Sequence, residues 1–413
     1  MRRLLPAALC LLFALPTHAQ SAGRTTPASP LVSRIDSSLQ RAARCLVQQQ
    51  SPDGAWRSQT YGFLKDGPSL TSIVAGCLFF LPQGGTESRK AFELGAAYLA
   101  GMAGKEGGIE TGESGLNFPV LTAASACRVL DLAQPTAQNL HARDAWWSFL
   151  KSYRLSRDLG WQPEDPEFGG WGFSLSPPRK PAPGQPRERF CESNLVATLF
   201  AIAAVRSVKL PASDPIYGEI LTFVRRCQNF SDSPGKSDPK FDDGGFFFIP
   251  GDPVQNKAGV AGRDRSGRER YLSYGSMTAD GVRALIRCGL PLDHPRVVAA
   301  RRWLERNFTA KQHPGRFLPD RQVLGEATYC YYCWAVAHAF LALNLHTIET
   351  KTGKVEWAKA LAEELMQRQQ ADGSWKNRFT ASNEDDPLIA TAWAAAALAI
   401  CREELSHPAP HVP

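Results

Sequence analysis

A chain of 413 residues, 43% hydrophobic and 21% charged, is long enough to bury a large core and too apolar to be disordered. Its net charge of +7 comes from scattered basic residues with one local cluster at Arg263, Arg265, Arg268 and Arg270. That is a solvated surface rather than a nucleic-acid-binding face, so no nucleic-acid partner is expected.

At the N-terminus, Arg2 and Arg3 precede an apolar run from Leu4 to Leu15, and Thr17-His18-Ala19 stands where a signal peptidase reads. This three-part plan predicts a secretory signal peptide over 1–19. Cys10 lies inside the run, away from the cleavage site, which argues against a lipoprotein. Residues 20–33 then read as a flexible leader, 34–405 as one repeat domain and 406–413 as a loose tail. No later apolar stretch has membrane-spanning length, so the mature chain is expected to lack a transmembrane segment and to be periplasmic or secreted. The nine cysteines beyond the signal peptide fall mostly on apolar helix faces and read as small buried hydrophobes.

The body of the chain repeats one unit. Cys45 to Trp56 and Met366 to Trp375 both run from a helix ending in glutamines into a turn with Asp-Gly-x-Trp. Weaker copies are Glu106 to Ile109, Phe168 to Trp171, Asp243 to Phe246 and Pro314 to Phe317. Before each turn the helices are amphipathic: Ile216, Ile220, Phe223, Val224 and Cys227 share one face, as do Trp357, Leu361 and Leu365. After each turn they are apolar nearly all round: Ser69 to Leu81, Asn117 to Leu132, Asn194 to Val205, Leu388 to Cys401 and Thr328 to Leu343. A helix apolar on one side faces water on the other, and one apolar on all sides is buried on all sides. Six alternating pairs therefore predict an all-α, (α/α)6 toroid with outer helices facing water and inner helices lining a central cavity. The segments 174–189, 231–240 and 250–271 read as surface loops.

Gln50-x-x-x-Gly54-x-Trp56 and Gln369-x-x-x-Gly373-x-Trp375 resemble the glutamine–tryptophan motif of squalene–hopene and oxidosqualene cyclases. The pattern is also similar to the repeats of protein prenyltransferase β subunits. Tyr274 to Gly281 and Asp386 to Thr391 look like segments of exported bacterial members of this repeat family. The resemblance spans about residues 34 to 405. It implies a toroid whose cavity opens at the N-termini of the inner helices.

What the family's enzymes need is incomplete here. The cyclase resemblance implies an Asp-x-Asp-Asp acid; the nearest match is Asn383-Glu384-Asp385-Asp386, and N-terminal capping before Pro387 is the simpler use of its aspartates. Triterpene cyclases also resemble two barrels in one chain, and this chain has room for one. The prenyltransferase resemblance implies zinc held by an Asp-x-Cys pair and a histidine. No Asp-x-Cys occurs, and Cys330, Cys333 and His338 read as core, so neither metal nor cofactor is expected. The Gly-Cys-Gly-Glu-Gln segment of thioester toroids is absent.

Asp280, Asp385, Asp386, Glu192 and Glu326 lie at or near inner-helix starts and are the catalytic candidates, expected to gather at one mouth with Tyr274, Tyr329 and Tyr331 as aromatic walls. Two readings follow. One is an enzyme acting on an isoprenoid or other apolar small molecule in the barrel. The other is a non-catalytic exported toroid that binds a lipid, glycan or protein.

Overall fold

A computed structural model describes residues 29–406 apart from 113–114, 234 and 236. The expected signal peptide at 1–19 and most of the leader and tail lie outside the described residues. Within them the chain forms an α/α toroid of six helix pairs. The outer helices are α1 (Pro30–Gln48), α3 (Gly85–Gly101), α5 (Ala137–Lys151), α7 (Pro215–Arg226), α9 (Pro295–Asn307) and α12 (Trp357–Arg368). The inner helices are α2 (Pro68–Phe79), α4 (Pro119–Leu132), α6 (Leu195–Ser207), α8 (Gly275–Arg287), α11 (Tyr329–Ala342) and α13 (Pro387–Ser406). A short α10 (Gln322–Glu326) precedes α11. The inner helices pack in the order α2, α4, α6, α8, α11, α13 and back to α2, so the ring is closed.

Helix starts follow local chemistry. Proline opens α1, α2, α4, α7, α9 and α13, where its missing N–H is no loss. Ser29, Thr136, Asn194 and Asp214 cap their helices with side-chain oxygens. The Ser29–Pro30 start places four residues of the expected leader inside α1, and Ser406 of the expected tail still belongs to α13. Strand is confined to two small hairpins, β1 (Val260–Arg263) with β2 (Glu269–Tyr271) and β3 (Ile348–Thr350) with β4 (Gly353–Val355). The first hairpin folds up the segment expected to be a plain loop and carries most of the arginine cluster. There Arg263 pairs with Glu269, Arg268 with Asp264, and Arg270 with Asp242.

At three of the turns the motif's glutamine stitches one unit to the next. Gln50 Nε2 donates to Gly54 O at 2.8 Å and to Ala91 O of α3 at 2.9 Å. Gln228 does the same to Gly244 and Arg296 of α9, at 3.0 and 2.9 Å. Gln369 reaches Gly373 and Ser38 of α1, both at 2.9 Å, joining the last unit to the first. Gly54 and Gly373 take φ of 89° and 90°, and a Cβ there would come within 2.6 and 2.5 Å of a carbonyl oxygen on the neighbouring helix. Both the turn and the close approach require glycine.

The aromatic that follows is buried between helices. The indoles of Trp56, Trp171 and Trp375 donate to carbonyls of Leu46, Leu150 and Leu365 at 2.7–2.9 Å. Their backbone amides, and that of Phe246, donate to Thr71, Thr198, Thr391 and Thr278 near the starts of the next inner helices. The nine described cysteines are buried and unpaired.

Candidate functional site in the lumen

On most inner helices the residues left partly exposed recur every three or four positions. They are Ile73 and Gly76 on α2, Leu121 and Arg128 on α4, Val196, Phe200 and Ala203 on α6, Tyr331, Trp334 and His338 on α11, and Trp393, Ala396 and Ile400 on α13. That spacing is one helical stripe, and on a helix enclosed by neighbours the exposed stripe faces the axis.

Ring contacts confirm the direction. Phe200 of α6 lies 5.7 Å from Trp334 and 6.1 Å from Trp393, although α6 borders neither α11 nor α13. These rings meet across the lumen. Trp334 and Trp393 are 4.9 Å apart, and Tyr331 is 5.5 and 5.6 Å from them.

Asp280 stands against this cluster. It is fully buried on α8, accepts from the Tyr331 hydroxyl at 2.7 Å and pairs with Arg283 Nη1 at 3.2 Å. Arg283 also lies 4.4 Å over the Trp334 ring. Burial pushes the Asp280 carboxyl up to about 6, against the pull of Arg283 and the Tyr331 hydrogen bond. The same burial pulls Arg283 down from its ordinary value. Tyr274, the residue before α8, is buried with its ring edge-on to His313 and tilted against Phe317, and its hydroxyl lacks a hydrogen-bond partner.

Of the other four candidate carboxylates, Asp385, Asp386 and Glu326 bond to partners of their own rather than to Asp280, Tyr331 or Arg283. Asp386 caps α13 by accepting from Leu388 N at 2.9 Å, and its second oxygen takes the Ser58 hydroxyl. Asp385 accepts from the Tyr61 hydroxyl at 2.5 Å. Glu192 is half-buried before α6, raised by burial, but Asn194 is the cap. Glu326 is exposed and pairs with Arg378 at 3.3 Å. Among the tyrosines, Tyr331 joins Asp280 but Tyr329 does not. Two residues along α11 is roughly 200° of rotation, and Tyr329 turns outward to donate to Ala310 O at 2.7 Å under the Arg368 guanidinium.

Glu384 is the carboxylate that the reading of residues passed over. It is 1% exposed and accepts from the amides of Cys330 and Tyr331 at 2.9 and 2.8 Å, closing the free N-terminus of α11 from another repeat. Burial raises it to about 6. Nearby, Lys257 donates to Ser382 Oγ at 2.6 Å, tying the turn before α13 to the segment ahead of β1, and burial pulls its ammonium down to about 8. For Glu384, the available signal was a carboxylate two residues ahead of the Asp386 cap. Cys330 and Cys333 lie near Glu384 and Tyr329, whereas His338 stands on the inward stripe with its ring 5.1 Å from Trp334. Among the described residues, no three His, Cys, Asp or Glu side chains form a metal-holding group.

No family model and no curated protein sequence matches this chain. Solved structures do. The type II terpene cyclase MstE from Scytonema, in complex with merosterolic acid A, superposes with a TM-score of 0.56 at 15% identity, over 91% of this chain and 99% of that one. The GH76A α-1,6-mannanase from Salegentibacter gives 0.53 at 9% identity, over 90% and 99%. A protein from Actinoplanes gives 0.51 at 17% identity, over 90% and 99%. At these identities the likeness is one of fold, and that fold is the α/α toroid shared by terpenoid cyclases and this mannanase.

Proposed function

We propose that this toroid holds an isoprenoid or similarly apolar small molecule in its lumen, outside the cytoplasm, with Asp280 as the group that exchanges a proton with it. The observation that carries the reading is the aromatic cluster of Phe200, Trp334, Trp393 and Tyr331. Its rings cross the axis yet stay partly exposed, beside a buried carboxyl raised by desolvation. Aromatic faces suit an unsaturated chain and any cation formed on it, and a carboxyl with a raised pKa suits proton transfer. Among toroids of this fold, MstE has been solved with geranylgeranyl dihydroxybenzoate as substrate. Among the described residues, no helix is long and apolar enough to cross a membrane, which is compatible with an exported domain.

The test is mass spectrometry of small molecules extracted from the natively purified protein. Wild type should carry an apolar compound that Ala396→Trp, filling the lumen, loses without a change in melting temperature. A wild-type lumen that is empty after purification and takes up no polyprenol from vesicles would overturn the reading. A second reading, binding without chemistry, is favoured by the hold of Arg283 on Asp280, which keeps the carboxylate engaged. If Asp280→Asn carries the same compound as wild type, chemically unaltered in both, the second reading stands.

A further inference from the structure

We propose that Ser382 and Lys257 form a nucleophile–base pair that takes the acyl group of a carboxylic ester, in the turn that leads into α13. Neither residue belongs to the aromatic cluster, and nothing required of them depends on what the lumen holds.

Lys257 Nζ lies 2.6 Å from Ser382 Oγ, across 125 residues of sequence. Both ends of this contact are fixed without it. Ahead of Lys257, the buried Asn256 side chain accepts from the amides of Phe248 and Ile249 at 2.9 and 3.2 Å. It donates to the carbonyls of Ile249 and Asp252, both at 2.7 Å. After Lys257, Ala258 O accepts from Leu318 N at 3.1 Å. On the serine side, the Glu384 carboxylate is engaged by the Cys330 and Tyr331 amides and by Asn377 Nδ2 at 3.1 Å. Its backbone carbonyl accepts from Asn377 N at 2.8 Å. Asn383 turns the chain at φ 59°, which asparagine tolerates, with its amide on Thr380 O at 3.0 Å. A lysine–serine tether adds little to the hold of either segment.

The contact is also a poor structural use of a lysine. Among the described residues Lys257 forms no ion pair, and the partner of its amine is a neutral hydroxyl. Desolvation without a carboxylate in contact favours the uncharged amine, and burial brings Lys257 to about 8 against the pull of Glu384. Roughly a tenth is then neutral at pH 7. The neutral amine has a lone pair to take the Ser382 proton, where the ammonium only donates. Ser382 and Lys257 are both half-buried, and Thr380 and Ala381 beside them are exposed, so a substrate reaches Oγ from solvent.

The chemistry closes on these two groups and water. Ser382 Oγ bonds to the ester carbonyl carbon as its proton passes to Lys257 Nζ. The bond from that carbon to the alcohol oxygen breaks, and the alcohol leaves with the proton from Nζ. Water then adds to the acyl carbon and gives a proton to Nζ. The acyl–Oγ bond breaks, the acid departs, and Oγ regains its proton. An ester suits the pair better than an amide, because an alkoxide leaves with less help from an acid and Lys257 is the proton donor in contact.

The test is p-nitrophenyl butyrate hydrolysis by the full chain, with a fluorophosphonate label mapped by peptide mass spectrometry. Wild type should hydrolyse the ester at a rate that rises through about pH 8, and should carry the label on Ser382. Ser382→Ala and Lys257→Met should each lower the rate by about 100-fold or more, with melting temperatures near wild type. If Lys257→Met unfolds, Lys257→Arg replaces it, since a guanidinium keeps the charge and supplies no base. No label on Ser382, or a rate unchanged in Ser382→Ala, would overturn the proposal. So would labelling of Ser382 that persists undiminished without Lys257, or an acyl group found on Lys257 instead.

Discussion

The turn before α13 and the inward face of α8 both present carboxylates in apolar surroundings. In the turn, Glu384 closes α11, Asp385 holds Tyr61, and Asp386 caps α13 while taking Ser58. Each serves as an anchor between repeats, Glu384 and Asp386 with backbone amides among their partners and Asp385 through a tyrosine hydroxyl. On α8, Asp280 has no backbone donor among its partners, which are a tyrosine and an arginine that also touch the aromatic cluster. A carboxylate bonded to helix N-terminal amides is committed to the fold. One bonded only to side chains that border a lumen has no backbone bond to hold it from a ligand.

That contrast can be broken at several points. The largest effect is expected for Asp280→Ala, which leaves Arg283 buried without its anion and should lower unfolding free energy by roughly 3–5 kcal/mol in denaturant titration. Glu384→Ala removes two amide bonds and should cost roughly 2–4 kcal/mol, with faster hydrogen exchange at Cys330 and Tyr331. If it leaves stability and exchange unchanged, the turn is not the anchor described.

The raised pKa of Asp280 fixes the sign of a pH effect. The folded state holds this proton more tightly than the unfolded chain, so its stabilisation is present below the ordinary value of 3.8 and is lost as pH rises through about 6. Wild type should therefore lose up to about 3 kcal/mol relative to Asp280→Asn between pH 4 and pH 7. A gain over that interval would mean that Arg283 dominates and the carboxyl is an ordinary buried ion-pair partner. Asp386→Ala should cost about 1 kcal/mol, as a lost cap does. Glu326→Gln, on the exposed rim, should stay within about 0.5 kcal/mol in the same titration.

The repeat plan was legible because its residues answer to geometry. Glycine at positive φ against a neighbouring carbonyl, and glutamine bridging two carbonyls, leave few alternatives at Gln50, Gly54, Gln369 and Gly373. The threonines receiving the anchor amides, Thr71, Thr198, Thr278 and Thr391, recur in the same way and went unread because threonine in a helix has many uses. The site was legible in part. Asp280 and Tyr331 stood out, but helical phase separates Tyr331 from Tyr329 by half a turn, and sequence does not say which face looks inward. The stripe of Asp280, Arg283 and Arg287 was visible as polar residues at helical spacing. What that stripe faces depends on how the ring closes, which spacing along one helix does not contain.

The account turns on the lumen as the place where a ligand sits. A farnesyl probe bearing a photoreactive diazirine on its chain, irradiated with the folded protein and mapped by peptide mass spectrometry, tests that most directly. Cross-links should fall on the inward stripe, at Phe200, Trp334, Trp393 and their neighbours, and should be lost in Ala396→Trp. Cross-links confined to outer helices or to the β1–β2 hairpin, unchanged by Ala396→Trp, would contradict it.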